Sequence, residues 1–230
     1  MLRKAPSGNC GLATGAPSRR RRLDCRLNFP FSFFLNLLRV QRLGLFGGAF
    51  NPVHLGHLLV AEAAIEELAL DKLFFIPASR SPFKQGDETA PAELRLRWLR
   101  LALAGRACYE IDQQEIQRGG ISYTIDTARH YAKGFPEAEL FCLIGADNLL
   151  KLNEWRNAEE LSKLLKFAAV PRPGQPSPIF PKPFTGTTLK GFPLDISSLR
   201  IRARVKSGLP IDYLVPPHVA AAIHDSGAYR

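Results

Sequence analysis

The segment from Arg42 to His57 constrains this chain more than any other. Arg42-Leu-Gly-Leu-Phe46 is short and mostly apolar, and it runs into Gly47-Gly48. That is the pattern of a buried strand entering a tight loop. Beyond it, His57 to Leu70 places Leu58, Ala61, Ala64, Ile65 and Leu68 at helical spacing. A strand, a glycine loop and a helix in this order set the loop at a helix N-terminus. Free N–H groups and positive partial charge gather there, so the joint favours an anion. The segment has neither GxGxxG nor a following GK[ST], which removes the main support for a Rossmann dehydrogenase or a P-loop NTPase.

Two histidines sharpen the reading. His54 and His57 are three residues apart and share a face at a helix start. Gly56 between them leaves room for a ligand, and Gly47 and Gly48 let one approach the backbone closely. Together these residues describe a polyphosphate site. The competing readings are a strand-turn-helix joint whose histidines merely cap or pack, and a zinc site. No Cys or carboxylate lies at ligand spacing beside the pair.

The remaining pattern alternates strands with helices. Strands are predicted at Lys72–Ile76, Ala107–Asp112, Leu140–Ile144 and Phe167–Val170, with a short one near Thr188–Gly191. Helices are predicted at Ala92–Ala104, at Ser122–Ala132 with Ser122 as cap, from Gly145 to Leu152, and at Ser198–Ser207 and Pro217–Ser226. The fold class is therefore α/β, a Rossmann-like doubly wound parallel sheet with helices on both faces and a C-terminal helical segment. Ligands in such sheets sit at the carboxyl ends of strands, so Gly47, Ala78, Gly145 and Pro171 should share one rim.

The net charge of +10 invites a nucleic-acid or membrane partner, but its distribution argues against both. Residues 1–42 carry nine Lys and Arg against Asp24 alone, so the rest of the chain is nearly balanced. Residues 1–40 read as a basic, disordered N-terminal extension and 41–230 as the folded domain. The apolar stretch from Phe29 to Leu38 leaves a signal or transit segment, a disordered arm, or sequence upstream of a misassigned start as alternatives. No stretch approaches the ~20 apolar residues of a membrane span. Cys10, Cys25, Cys108 and Cys142 form no CxxC pair. Cys108 and Cys142 read as buried thiols, which fits a cytoplasmic protein. Whether the chain forms a homo-oligomer is left open.

The motifs in sequence carry a specific resemblance. GGAFNPVHLGH at 47–57 is similar to the signature of the T/HxGH nucleotidyltransferase superfamily. The Ser81-Pro-Phe-Lys84 loop, Gly119-Gly-Ile-Ser-Tyr-Thr-Ile-Asp-Thr127, Ile144-Gly-Ala-Asp147, Trp155, Val170-Pro-Arg-Pro-Gly174 and Ile196-Ser-Ser-Leu-Arg-Ile-Arg202 extend it. Over about Leu43 to Tyr229 the chain resembles the bacterial nicotinate-nucleotide adenylyltransferases. The histidine motif speaks only for a nucleotidyltransferase, whereas the SYTIDT segment and Trp155 point to a pyridine nucleotide.

The resemblance implies direct adenylyl transfer from ATP, with Mg²⁺ accompanying the nucleotide, to nicotinate mononucleotide, and no covalent enzyme intermediate. It implies His54, His57, Lys84 and Arg202 as catalytic residues. Gly47, Gly48, Ala49, Phe50 and His57 would hold ATP phosphates, with His54 near the transferred one. Ser197, Ser198 and Arg202 would meet the β- and γ-phosphates, and Gly145 and Asp147 the ribose. Lys84, Tyr123, Thr124 and Trp155 would take the acceptor, with Trp155 stacking on its ring. Plainer readings stand beside these: Lys84 as a solvated loop lysine, Asp147 as a helix cap, Trp155 as a core aromatic, and Tyr123 as packing. Arg200 and Arg204 read as surface charge.

Four residues depart from the family pattern. Ala49 stands where Thr is common, Asn51 where Asp is frequent, Phe83 where His is frequent, and Leu199 where Thr is common. The alternatives are a related transferase acting on nicotinamide mononucleotide or phosphopantetheine, a class I aminoacyl-tRNA synthetase relative suggested by His54-Leu-Gly-His57, and a non-catalytic nucleotide sensor on the same fold.

Overall fold

The structure is a computed structural model that describes residues 42–80, 89–170, 179–192 and 194–230. Six strands form one parallel sheet: β1 (Arg42–Gly48), β2 (Lys72–Pro77), β3 (Tyr109–Ile111), β4 (Glu139–Gly145), β5 (Lys166–Val170) and β6 (Gly186–Thr188). Their order is β3-β2-β1-β4-β5-β6. The order reverses between β1 and β4, and the crevice at that point is where doubly wound sheets bind ligands.

Eight α-helices are described: α1 (Leu55–Glu67), α2 (Ala92–Leu103), α3 (Gln114–Arg118), α4 (Thr124–Gly134), α5 (Ala146–Leu149), α6 (Ala158–Leu164), α7 (Ser198–Lys206) and α8 (Pro217–Ser226). Strand alternation sorts the core into two layers. Leu43, Leu45, Phe74, Ile76, Leu140, Cys142 and Ile144 point to one face and pack on Ile125, Ala128 and Tyr131 of α4, Leu149 of α5 and Leu161 of α6. Leu73, Phe75, Phe141 and Leu143 point to the other, under Ala61 and Ala64 of α1, Trp98 and Leu99 of α2, Ile201 of α7 and Ile223 of α8. Both faces are covered, which is why these strands read as apolar runs.

The sequence expectations need several corrections. Ser122 does not cap α4: its Oγ accepts from Ser79 N–H at 3.0 Å, and the helix begins at Thr124 with Tyr123 at the cap position. The helix expected from Gly145 to Leu152 is broken into α5 and a 3₁₀ turn at Leu152–Glu154. The last strand ends at Thr188, because Glu67 accepts from Lys190 N–H and Gly191 N–H and draws the following chain off the sheet. Helices α3 and α6 were not anticipated, since each is under two turns long and offers no period to read. Cys142 is buried, but Cys108 is only half-buried. The N-terminal extension and Lys84 lie outside the described residues.

Candidate active site at the carboxyl end of the sheet

The histidine loop is built on α1. His54 is the N-cap of that helix and His57 its third residue. The backbone N–H of His54 donates to His57 Nδ1 at 3.2 Å. An accepting Nδ1 carries no proton, so the ring proton sits on Nε2 and makes that atom a donor. The two imidazoles lie with centroids 3.7 Å apart, tilted by 30°. Gly56 makes this possible: a Cβ there would stand 3.0 Å from His54 Nδ1 and 3.1 Å from its Cε1. Burial lowers the pKa of His54 to about 4, so the ring is neutral at neutral pH.

Phe50 shapes the loop from beneath. It is buried and sits at φ +45°, an unusual conformation for a residue with a Cβ. Its ring packs on His57 at 5.0 Å, on Phe75 at 5.5 Å and edge-on to Phe46 at 5.5 Å. Gly48 is adjacent, and a Cβ on it would press to 3.3 Å of the Phe50 ring. The side chain of Phe50 therefore belongs to the core.

Helix α7 is tied to the same loop. Ser198 Oγ donates to the Pro52 carbonyl at 2.9 Å, and Arg202 donates to the Asn51 carbonyl at 3.0 Å. Ser197 caps α7, its Oγ accepting from Arg200 N–H at 3.3 Å. Two helix N-termini, those of α1 and α7, thus meet at one loop and add their positive ends. Arg200, exposed, pairs with Asp195 as expected for surface charge, while Arg204 is half-buried and donates to the Pro210 carbonyl.

A cavity of about 550 Å³ opens on the other face of the sheet, within the range of small-molecule sites. Gly47, Gly48 and Ala49 form part of its wall, as do Tyr123 and Thr124 at the start of α4 and Trp155 after the 3₁₀ turn. The Trp155 ring also meets Phe167 edge-on at 6.3 Å, so it both lines the cavity and packs the core. The loop after β2 is held to the segment before α4 by Ser122 N–H donating to the Arg80 carbonyl at 2.9 Å. The glycine loop is shared: the histidines and α7 lie with one layer of helices, Thr124 and Trp155 with the other.

Gly145 ends β4 and is the N-cap of α5, and Asp147 is exposed in its first turn. Of this motif Ile144 lines the cavity, and just beyond the motif so does Asn148. Sequence reading missed it, along with Arg156, Glu115 and Thr127. Arg156 is exposed and holds its guanidinium 4.6 Å over the Tyr123 ring. Glu115 is buried at the cavity wall, accepting from Thr127 Oγ1 at 2.6 Å. Thr127 was legible in principle, one helical turn beyond Thr124. Glu115 was not, because nothing local to it signals burial.

The chain is similar to known proteins. The profile of the cytidylyltransferase-like family matches residues 45–204. A "Probable nicotinate-nucleotide adenylyltransferase" of Opitutus terrae is 40% identical over 193 residues, covering 83% of this chain and 98% of its own. One of the same description from Thermus thermophilus is 41% identical over 190 residues, covering 83% and 100%. Among solved structures, a Plasmodium falciparum nicotinic acid mononucleotide adenylyltransferase complexed with NaAD aligns with a TM-score of 0.65 at 15% identity. It covers 82% of this chain and 97% of that one, a likeness of fold.

Proposed function

The chain belongs to the nicotinate-nucleotide adenylyltransferase family, and on that premise we propose how its site transfers AMP from ATP to nicotinate mononucleotide. A phosphate oxygen of the acceptor bonds to the α-phosphorus of ATP. The bond from that phosphorus to the α,β-bridging oxygen breaks, and nicotinate adenine dinucleotide and pyrophosphate result. The observation that carries the proposal is the shared loop Gly47–Ala49, with two stacked histidines and the α7 N-terminus on one side and the Trp155 cavity on the other.

The triphosphate fits the histidine side. The loop N–H groups, His57 Nε2–H, the start of α7 at Ser197 and Ser198, and Arg202 are all donors, as developing charge on phosphate oxygens demands. His54, neutral and buried, contacts the transferred phosphate as a dipole. Gly145 and Asp147, at the end of β4, suit the ribose of ATP. Lys84 is assigned to the phosphates of the incoming nucleotide on its sequence motif alone. These nitrogen donors suit phosphate oxygens and not a hard cation, so Mg²⁺ would enter on the phosphates of ATP. Catalysis then rests on alignment of two nucleotides and on charge stabilisation.

The pyridine fits the cavity, stacked on Trp155 with its carboxylate towards the N-terminus of α4 at Tyr123 and Thr124. The fixed cation of Arg156 favours an acid there over a neutral amide. Among the described residues no helix is long and apolar enough to cross a membrane. Cys108 and Cys142 are thiols and not disulfides, which supports a reducing, cytoplasmic setting. The test is label transfer. With ATP labelled at the α-phosphate, the label should appear in a dinucleotide only when nicotinate mononucleotide is present, and γ-label should appear in pyrophosphate. Release of γ-label as orthophosphate would overturn the proposal.

A further inference from the structure

Arg95 is an arginine out of place by composition. It is the fourth residue of α2, followed in the same helix by the exposed Arg97 and Arg100, yet it is itself 2% exposed. Buried guanidinium groups are ordinarily paired with carboxylates. Among the described residues no acid lies within salt-bridge distance of this one, and its partners are backbone carbonyls. Nε donates to Ala90 at 3.1 Å, while Nη1 donates to Ala49 and to Ala78, each at 2.8 Å. These carbonyls come from three separate segments: the loop after β1, the loop after β2, and the approach to α2.

The contacts close into a ring. Ala90, whose carbonyl takes the Arg95 Nε–H, sends its own N–H to Asn51 Oδ1 at 3.0 Å. Asn51 follows the left-handed Phe50, which follows Ala49, the second carbonyl that Arg95 holds. Tyr229 O–H also donates to Asn51 Oδ1, at 2.5 Å, bringing the end of the chain into the same knot. A residue such as Phe50 at positive φ persists only when its surroundings over-determine it. The planar peptide adds direction: with the Ala49 carbonyl drawn inward to Arg95, the Phe50 N–H of the same trans unit points the opposite way.

We propose that Arg95 is a positioning residue of the adenylyl-transfer site. It locks the Ala49–Phe50 peptide in the orientation that binds the triphosphate, and it sets a buried positive charge behind that peptide for which the phosphates are the counter-charge. The inference rests on the histidine side being the ATP side. Lysine at this position keeps the charge but replaces a planar fork with a single point donor, and methionine removes both.

The experiment compares Arg95→Lys and Arg95→Met with the parent chain, reading the KM for ATP, kcat, the melting temperature and, without any acceptor, ATP affinity by calorimetry. Both variants should raise the KM for ATP and weaken ATP binding by about tenfold or more, methionine at least as much as lysine. A merely structural role would reduce the amount of folded enzyme, lowering apparent kcat and leaving the KM unchanged. Folded variants with parental ATP affinity would overturn the proposal. If neither variant folds, ¹⁵N-arginine spectra of the parent decide. The slowly exchanging Arg95 Nε–H should shift when ATP is added, and a resonance that stays still would contradict the role. The calorimetric arm needs no turnover, so failure of adenylyl transfer to nicotinate mononucleotide in the parent would count against the proposed function and not against Arg95.

Discussion

The backbone N–H of His54 donates to Nδ1 of His57, one helical turn ahead, and this single bond fixes which nitrogen of His57 can serve a ligand. The proton is left on Nε2, turned away from the backbone it caps. His57→Ala removes both the cap and the donor and should lower kcat/KM by about 10²–10³-fold or more, the scale of losing a transition-state donor. His57→Asn is the more telling variant. Its Oδ1 can accept the His54 N–H and keep the helix start, so the melting temperature should stay near the parent value while activity falls as far as in the alanine variant. Parental activity in His57→Asn would refute the role of Nε2.

His54 gives a pH dependence of stability. Its unfolded imidazole takes a proton near 6.5, and the folded one resists until about 4. Between these values the unfolded state binds more protons, so acid favours unfolding. Stability is unaffected by this group above 6.5 and declines as pH falls towards 4, by about 3 kcal/mol in all. Urea unfolding of the parent and of His54→Asn at several pH values measures it. The difference between them should change through this window and be constant above it.

The Trp155 indole lines the cavity and also touches Phe167. Trp155→Ala should raise the KM for the acceptor about tenfold or more and leave the KM for ATP within about twofold, since ring stacking contributes roughly 1 kcal/mol or more. Trp155→Phe retains a stacking face and should recover most of the loss. Equal rises in both KM values would show that the indole acts through the fold alone.

Arg156 is exposed, so its removal carries little risk to the fold. Its guanidinium is nevertheless held in place over Tyr123 at the cavity wall. Arg156→Met should reduce the preference for nicotinate over nicotinamide mononucleotide by about tenfold, which corresponds to roughly 1.4 kcal/mol of charge interaction. An unchanged ratio would move the source of acid selectivity to the backbone donors near Thr124.

Much of the sheet was legible because its strands are buried on both faces and leave unbroken apolar runs, as in Leu140 to Ile144. The histidine loop was legible because its chemistry is contiguous, from Gly47 to His57. Arg95 was not. In the sequence it is one more arginine in a helix of alternating Leu and Arg, and its burial depends on the carbonyls of Ala49 and Ala78, which only the folded sheet brings together. Glu115 and Arg156 were missed for the same reason. Ser122 misled because its hydroxyl, well placed to cap a helix, is taken by the backbone of Ser79.

The most direct measurement is kcat/KM for pyrophosphate release from ATP with nicotinate mononucleotide, nicotinamide mononucleotide and phosphopantetheine as acceptors, side by side. Nicotinate mononucleotide should exceed nicotinamide mononucleotide by at least about tenfold, and phosphopantetheine should give no turnover. A higher value for either of the other two acceptors would contradict the assignment of the Trp155 cavity to a nicotinate ring.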